Sequence, residues 1–286
     1  MTNPAVEPSS TFEVFSNGAS TVVWGDALHA LDAVVEDSEA DLIFADPPYN
    51  IGKRFGAFLD AWPSESAYFA WCKQWLDTCI RKLTDNGTMY VMASTQAMPL
   101  FDLYLRERVE VISRIVWCYD SSGVQARSRF GSLYEPMLHC VKDPRKYTFN
   151  ADAILVDAPT GSRRKLMDYR ADPPRVYNHQ KVPGNVWEFP RVRYRMEEYE
   201  EHPAQKPERL LERVLLASTH AGDLVVDPFA GTFTASAVAA RLGRRSVGIE
   251  AQLDYVRIGL RRLELRTELH GVSLARAPKR TARRRV

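Results

Sequence analysis

The sequence lacks the features that mark several common classes of protein. Its 286 residues include only four cysteines, and no group of cysteine and histidine has the spacing of a zinc site. No apolar run approaches the length of about 20 residues that a membrane-spanning helix requires. The first residues also lack the basic start and apolar core of a signal peptide. We therefore expect a soluble, cytoplasmic protein with free thiols and no metal site.

Signatures of common nucleotide-binding and repeat proteins are missing as well. No G-x-G-x-x-G pattern follows an apolar strand, which disfavours a nicotinamide cofactor. The pattern G-x-x-x-x-G-K-[ST] is also absent, which excludes the P-loop class. No internal repeat has the period of a solenoid.

The net charge of +2 is small, but the basic residues are unevenly distributed. Between positions 121 and 195 the chain has 14 Lys and Arg against 7 Asp and Glu, and positions 275–286 add six more basic residues. Such segments are typical of a surface that binds a polyanion, although a solvated surface and a disordered tail have the same composition. The candidates for contact with a polyanion are Arg127, Arg129, Arg163, Arg164, Lys165, Arg191, Arg193 and Arg195.

Apolar patterns predict strands and helices that alternate on both sides of a less regular region. Before position 119, strands such as 41–45 alternate with amphipathic helices, and the alternation resumes at 207. This pattern predicts a doubly wound, mostly parallel α/β sheet. We divide the chain into a disordered N-terminus (1–11), a first half of the sheet domain (12–119), an insert (120–200), a second half (201–268) and a basic disordered tail (269–286).

The stretch LIFADPPYN, residues 42–50, ends an apolar strand on an acid. Asp46 falls at the carboxyl edge of the predicted sheet, which is where open α/β sheets bind ligands. Pro47 and Pro48 fix the backbone and leave their carbonyls without internal partners, while Tyr49 supplies a flat ring. A carboxylate, a rigid carbonyl and a stacking ring suit the planar amino group of an aromatic base. A simple strand-ending turn is the alternative interpretation.

A second Asp-Pro-Pro tripeptide, at 172–174, provides an internal comparison. No apolar strand precedes it, and Arg175 stands in place of the aromatic residue. We therefore predict that it forms a loop turn without a role in catalysis.

A second motif lies in the segment DLVVDPFAGTFTASAVAARLGRRSVGIE, residues 223–250. It reads as strand, tight turn, helix, strand and acid. Gly231 allows a ligand to approach the backbone closely, and the following helix offers free N–H groups. Glu250 ends the next strand about twenty residues later, which is the spacing of an acid that binds ribose hydroxyls.

Together, DPPYNIG and DPFAGTFTA resemble the motif pair of S-adenosylmethionine-dependent methyltransferases that act on amino groups of DNA. The order of the motifs, with a variable basic region between them, is similar to that of the β class. The segments at 117–143, 168–194 and 201–218 look very like the YhdJ-type solitary adenine methyltransferases, and the resemblance covers residues 20–265. It implies a class I methyltransferase fold and site-specific methylation of adenine N6 in double-stranded DNA, with base flipping and S-adenosylhomocysteine as product.

The resemblance also implies roles for individual residues. The catalytic motif comprises Asp46, Pro47, Pro48 and Tyr49, and the residues that bind the cofactor are Asp26, Lys206, Asp227, Phe229, Ala230, Gly231 and Glu250. The segment of His202, Gln205, Lys206 and Pro207 resembles the one beside the methionine end of the cofactor. One departure is Phe233, which occupies the place of the second glycine in the fuller F-x-G-x-G pattern.

Several alternatives and partners follow from the same resemblance. The chemistry could instead act on cytosine N4, on guanine N2 of RNA or on a protein amide, and a DNA-binding regulator with a vestigial cofactor pocket is a further alternative. The sequence has no Pro-Cys dipeptide, which counts against methylation of cytosine C5. The insert is expected to read the target sequence in double-stranded DNA. We also expect a possible homodimer, no obligate partner nuclease, no membrane association, and a cytoplasmic location with association to the nucleoid.

Overall fold

The computed structural model of the protein describes residues 11–56, 58–119, 127–128, 130–158, 167–176 and 179–275. Within these residues, nine strands form one mixed sheet: β1 (Glu13–Ser16), β2 (Ser20–Trp24), β3 (Ala40–Ala45), β4 (Leu83–Met92), β5 (Glu110–Cys118), β6 (Tyr134–Val141), β7 (Val186–Glu188), β8 (Leu224–Asp227) and β9 (Arg245–Glu250). Their order across the sheet is β1-β2-β9-β8-β3-β4-β6-β5-β7. Only β1 and β6 of these nine run antiparallel to their neighbours. The predicted doubly wound, mostly parallel sheet is confirmed.

Helices cover both faces of the sheet. The described helices are α1 (Ala27–Val34), α2 (Glu65–Lys82), α3 (Met98–Arg106), α4 (Glu208–Ser218), α5 (Thr234–Arg241) and α6 (Leu253–Arg262), with a short 3-10 helix at Ala151–Ile154. Side chains of α1, α2 and α3 pack on one face of the sheet, and those of α4, α5 and α6 pack on the other. No helix among the described residues is long and apolar enough to cross a bilayer.

The β3 strand shows why the sheet is buried on both faces. Ile43 and Ala45 pack into the core with α1 to α3, whereas Leu42 and Phe44 pack into the core with α4 and α5. A parallel strand with helices on both sides therefore needs apolar residues at successive positions, which explains the continuous run that ends at Ala45. The acid that follows lies at the carboxyl edge, outside this core.

The predicted insert at 120–200 contributes to the sheet as well as to its edge. Strand β6 lies between β4 and β5, and β7 adds a parallel strand beside β5. Outside the sheet, the same range forms two short antiparallel pairs: Val156–Asp157 with Gln180–Lys181, and Met167–Asp168 with Arg175–Val176. The second Asp-Pro-Pro tripeptide lies exposed between the last two of these strands, as the loop prediction stated.

Phe233 is a core residue in a left-handed backbone conformation. Its φ angle is 57°, which is unusual for a bulky side chain, and its ring is fully buried. A Cβ atom at Gly248 would lie 2.7 Å from this ring, and one at Gly259 would lie 2.4 Å from it. The two glycines therefore provide the space that the ring fills, and burial of the ring offsets the strain of its backbone.

We predict that Gly259→Ala lowers the free energy of unfolding by about 1–3 kcal/mol, because the added methyl group overpacks the site of the Phe233 ring. In a Phe233→Gly background the same substitution should cost much less, since the methyl group enters vacated space. Urea denaturation of the single and double variants measures both effects. Gly184→Ala is the control, because a Cβ there meets nothing within 4 Å. An equal cost in both backgrounds would contradict this account of the packing.

Candidate active site

A cleft of about 750 Å³ opens at the carboxyl ends of β3, β8 and β9. Strand β8 pairs with β3, so residues about 180 positions apart in the chain meet at this edge. Every residue predicted for catalysis or cofactor binding lines the cleft: Asp26, Asp46, Pro47, Pro48, Tyr49, Lys206, Asp227, Phe229, Ala230, Gly231 and Glu250. The structure thus brings the two sequence motifs into one site.

The loop after β3 is held by the buried carboxylate of Asp60. Asp60 is 1% exposed and accepts hydrogen bonds from the backbone N–H groups of Tyr49 (3.2 Å), Asn50 (2.7 Å) and Ile51 (3.3 Å). Burial raises the pKa of Asp60, whereas the three N–H groups oppose that rise. Asp60 therefore fixes the backbone immediately after the two prolines, a role that the sequence reasoning missed.

The two proline carbonyls of this loop differ in their hydrogen bonding. The hydroxyl of Tyr68 donates to the carbonyl of Pro48 at 2.8 Å. No described residue donates to the carbonyl of Pro47, which also lines the cleft. The Pro47 carbonyl is therefore the one that has a free acceptor for a ligand.

The polar centre of the cleft contains two carboxylates and one ammonium group. Lys206 Nζ donates to Asp46 Oδ2 and lies 3.4 Å from Glu135 Oε2. The Tyr49 hydroxyl contacts the same two acids, at 2.5 Å from Asp46 Oδ1 and 3.2 Å from Glu135 Oε2. The exposed fractions of the charged side chains are only 7% for Lys206, 17% for Asp46 and 19% for Glu135.

These contacts determine the protonation of the cluster. Burial raises the pKa of Asp46, Lys206 opposes this rise, and Glu135 adds to it. Burial alone would lower the pKa of Lys206, but the two carboxylates outweigh it and the pKa is raised. Burial and both acids also raise the pKa of Tyr49 well above its usual value. Lys206 and Tyr49 are therefore both protonated at neutral pH and both donate to Asp46.

The second motif forms the other end of the cleft. Glu250 accepts hydrogen bonds from the backbone N–H groups of Gly231 (2.9 Å) and Gln252 (2.7 Å), and remains partly exposed to the cleft. Gly231 has a φ angle of 50°, and a Cβ there would lie 3.4 Å from His202 Nε2. Burial raises the pKa of Glu250 to about 7 and that of Asp227 to about 8. This end of the cleft therefore combines backbone without a side chain, at Gly231, with the carboxyl group of Glu250, which can accept hydrogen bonds from hydroxyl groups.

His202 presents a defined donor to the same end of the cleft. Its Nδ1 atom accepts a hydrogen bond from the backbone N–H of Ala204 at 3.1 Å. Burial, together with Lys206 and Lys53, lowers the pKa of His202 to about 3. The neutral ring therefore carries its hydrogen on Nε2, the atom that faces Gly231.

The predicted basic residues are only partly brought together. Arg191 lines the cleft, and its guanidinium lies 5.0 Å from the centre of the Tyr119 ring. Arg127, Arg193 and Arg195 are exposed outside the cleft lining. The remaining candidates lie outside the described residues: Arg129, Arg163, Arg164 and Lys165.

Glu135 is the main residue of the site that sequence reasoning missed. It lies at the start of β6, in the range that was predicted to be an insert, and its neighbours carry no motif. The available signal is an acid at the edge of a buried run, YEPMLHCV, which matches the position of Asp46 beside LIFA.

The described residues contain no group of three or more metal-ligating side chains that could hold a metal ion.

Comparisons with known proteins agree on one family. A family profile described as DNA methylase matches residues 40–261. The DNA adenine methyltransferase YhdJ of Escherichia coli (strain K12) is 54% identical over 266 residues, which cover 93% of this chain and 90% of that protein. The type II methyltransferase M.HpaI of Haemophilus parainfluenzae is 33% identical, over 85% of this chain and 74% of that protein.

Solved structures share the fold at lower sequence identity. The complex of M1.HpyAVI with S-adenosylmethionine has a TM-score of 0.58 and 20% identity, and the match covers 85% of this chain and 99% of that one. The cytosine-N4-specific PvuII DNA methyltransferase has a TM-score of 0.61 and 16% identity, with coverage of 90% and 89%. Both are therefore similar to this chain in fold.

We predict that Asp60→Asn loosens the loop after β3, because the amide nitrogen of asparagine would face a backbone N–H group that now donates to a carboxylate. The free energy of unfolding should fall by about 1–3 kcal/mol, and amide hydrogen exchange at positions 49–51 should accelerate. Asp85→Asn is the control, since Asp85 is exposed. Unchanged exchange in the loop would show that Asp60 does not hold it.

Proposed function

This chain belongs to the DNA methylase family, and on that premise we propose that it transfers a methyl group from S-adenosylmethionine to the exocyclic N6 of adenine at specific sites in double-stranded DNA. The observation that carries the proposal is the meeting of Asp46, Pro47 and Tyr49 with Gly231 and Glu250 in one cleft. The 54% identity to a DNA adenine methyltransferase supports adenine as the base.

The cleft has the donors and acceptors that S-adenosylmethionine requires. Glu250 has both oxygens oriented by backbone N–H groups, and its exposed side can accept hydrogen bonds from the two ribose hydroxyls. The absence of a side chain at Gly231 keeps this end open, beside the Nε2 hydrogen of His202. When bound, the cofactor supplies an electrophilic methyl group on a sulfonium centre.

The residues around Asp46 prepare the target amine. We propose that one N–H of the adenine amino group donates to Asp46 and the other to the Pro47 carbonyl, while the base stacks on Tyr49. Both hydrogen bonds make the nitrogen lone pair less delocalised into the ring and more available for attack. Positive charge then develops on the amine, and the adjacent carboxylates stabilise it. The released proton leaves through Asp46 or water.

A base within a duplex cannot reach this cleft, so the enzyme must extrude it, at a cost of a few kcal/mol in lost stacking. We propose that the parts of 120–200 outside the sheet read the target sequence, and that Arg191 binds a phosphate close to the extruded nucleotide. Its place at the cleft beside Tyr119 supports this role.

A cytoplasmic location, a homodimer and independence from a partner nuclease also belong to the proposal.

We predict that Asp46→Ala lowers turnover by about 10²–10⁴-fold, because the amine loses its main acceptor. Binding of S-adenosylmethionine, measured by calorimetry, should stay within a few-fold of the wild-type value. Nucleoside mass spectrometry after incubation with unmethylated DNA measures the product, and Asp85→Ala is the exposed control. N6-methyldeoxyadenosine is expected. Detection of N4-methyldeoxycytidine would show that cytosine is the target base. Cofactor binding without any methylated nucleoside would favour a DNA-binding regulator with a vestigial cofactor pocket.

We predict that Arg191→Gln weakens binding to DNA of every sequence and makes the plot of log affinity against log salt shallower by about 0.9, the contribution of one phosphate contact. Fluorescence anisotropy at several salt concentrations measures both quantities. Arg106→Gln is the matched control, because this exposed arginine lies on α3 and does not line the cleft. A slope equal to that of the wild type would contradict a phosphate contact at Arg191.

A further inference from the structure

One ammonium group lies within ion-pair distance of two carboxylates at the centre of the cleft. Lys206, in the segment before α4, donates to Asp46 at the end of β3, and the Glu135 carboxylate at the start of β6 lies 3.4 Å from the same nitrogen. The Tyr49 hydroxyl spans the two acids, so both carboxylates lie within reach of the same donors. The described residues give this ammonium no other carboxylate partner.

This arrangement conflicts with the reaction unless it changes. Asp46 must accept a hydrogen bond from the target amine, but its Oδ2 atom is occupied by Lys206. A lysine ammonium that stayed on Asp46 would also repel the positive charge that develops on the amine during transfer. Moving the ammonium into a cleft without a partner would leave a buried charge uncompensated, which is costly. A second acid within reach of Lys206 solves both problems.

We propose that Glu135 is a positioning residue, which takes over the Lys206 ammonium when the target adenine engages Asp46. The inference rests on the proposed function, because it requires an amine that competes for Asp46. The distance of 3.4 Å from Lys206 Nζ to Glu135 Oε2 allows the transfer by a small change in the lysine side chain. Glu135 thereby leaves Asp46 free for the base and keeps the ammonium neutralised.

The charged groups around Asp46 give the proposal a distinctive pH dependence. Lys206 and Tyr49 contact Asp46 directly. The charges of Glu135, Asp227 and Lys53 act on Asp46 over longer distances. Lys206 lowers the pKa of Asp46 and Glu135 raises it. Loss of Glu135 should therefore move the acidic limb of the kcat/KM profile to lower pH, and loss of Lys206 should move it to higher pH.

The test compares Glu135→Gln, Lys206→Met and the double variant on an unmethylated duplex, after N6-methyldeoxyadenosine has been demonstrated with the wild-type enzyme. In Glu135→Gln the ammonium remains on Asp46, so kcat should fall roughly 30-fold or more. In the double variant no ammonium competes for Asp46, so its kcat should be at least about tenfold higher than that of Glu135→Gln. Glu110→Gln is the matched control, since Glu110 is an exposed glutamate on β5 outside the cleft.

Several readouts separate this role from a structural one. Thermal denaturation shows whether Glu135→Gln is folded, and the conservative Glu135→Asp variant should recover part of the activity if the charge is what matters. Recovery in the double variant together with opposite shifts of the acidic limb supports the proposal. Wild-type kcat in Glu135→Gln, or losses that simply add in the double variant, would overturn it. A raised dissociation constant for S-adenosylmethionine in Lys206→Met alone would instead assign Lys206 to the cofactor.

Discussion

The pairing of β3 with β8 is the constraint on which the active site depends. Leu42 and Ile43 align with Val225 and Val226, so the two strands end side by side at the carboxyl edge. Each strand is followed by a tight turn that carries one motif. Helix α2 contacts both turns, because Tyr68 donates to the carbonyl of Pro48 while Trp71 and Trp75 pack against Phe229. The apolar residues on both faces of these strands therefore act in catalysis indirectly, because their packing sets the distance between the cofactor and the target base.

The site concentrates buried charge, and each charge has its own compensation. Asp60 accepts hydrogen bonds from backbone N–H groups, and Asp46 contacts the Lys206 ammonium and the Tyr49 hydroxyl. Burial raises the pKa of Asp227 to about 8, which favours its neutral form at neutral pH. A buried ion without such partners would cost several kcal/mol. The compensation differs in kind, however. The backbone donors are fixed, so Asp60 maintains geometry, whereas the donors of Asp46 are side chains that can move.

Much of the fold was predictable from the sequence, because alternating apolar patterns and turn residues act locally. The strand predicted at 41–45 is β3, and both motifs lie at the expected carboxyl edge. The antiparallel position of β6 between β4 and β5 was not predictable, since strand order is decided by contacts between distant residues. Glu135 was missed for the same reason. Edge strand β1 was also missed, because its four residues show little burial.

The packing of Phe233 restricts the order in which this chain can change during evolution. The ring excludes side chains from Gly248 on β9 and Gly259 on α6, because a Cβ atom at either position would overlap it. A lineage that acquired alanine at either glycine first would pass through an overpacked core, whereas one that first lost the ring would not. The three positions therefore form one epistatic unit, in which the same substitution is harmful or neutral according to what preceded it.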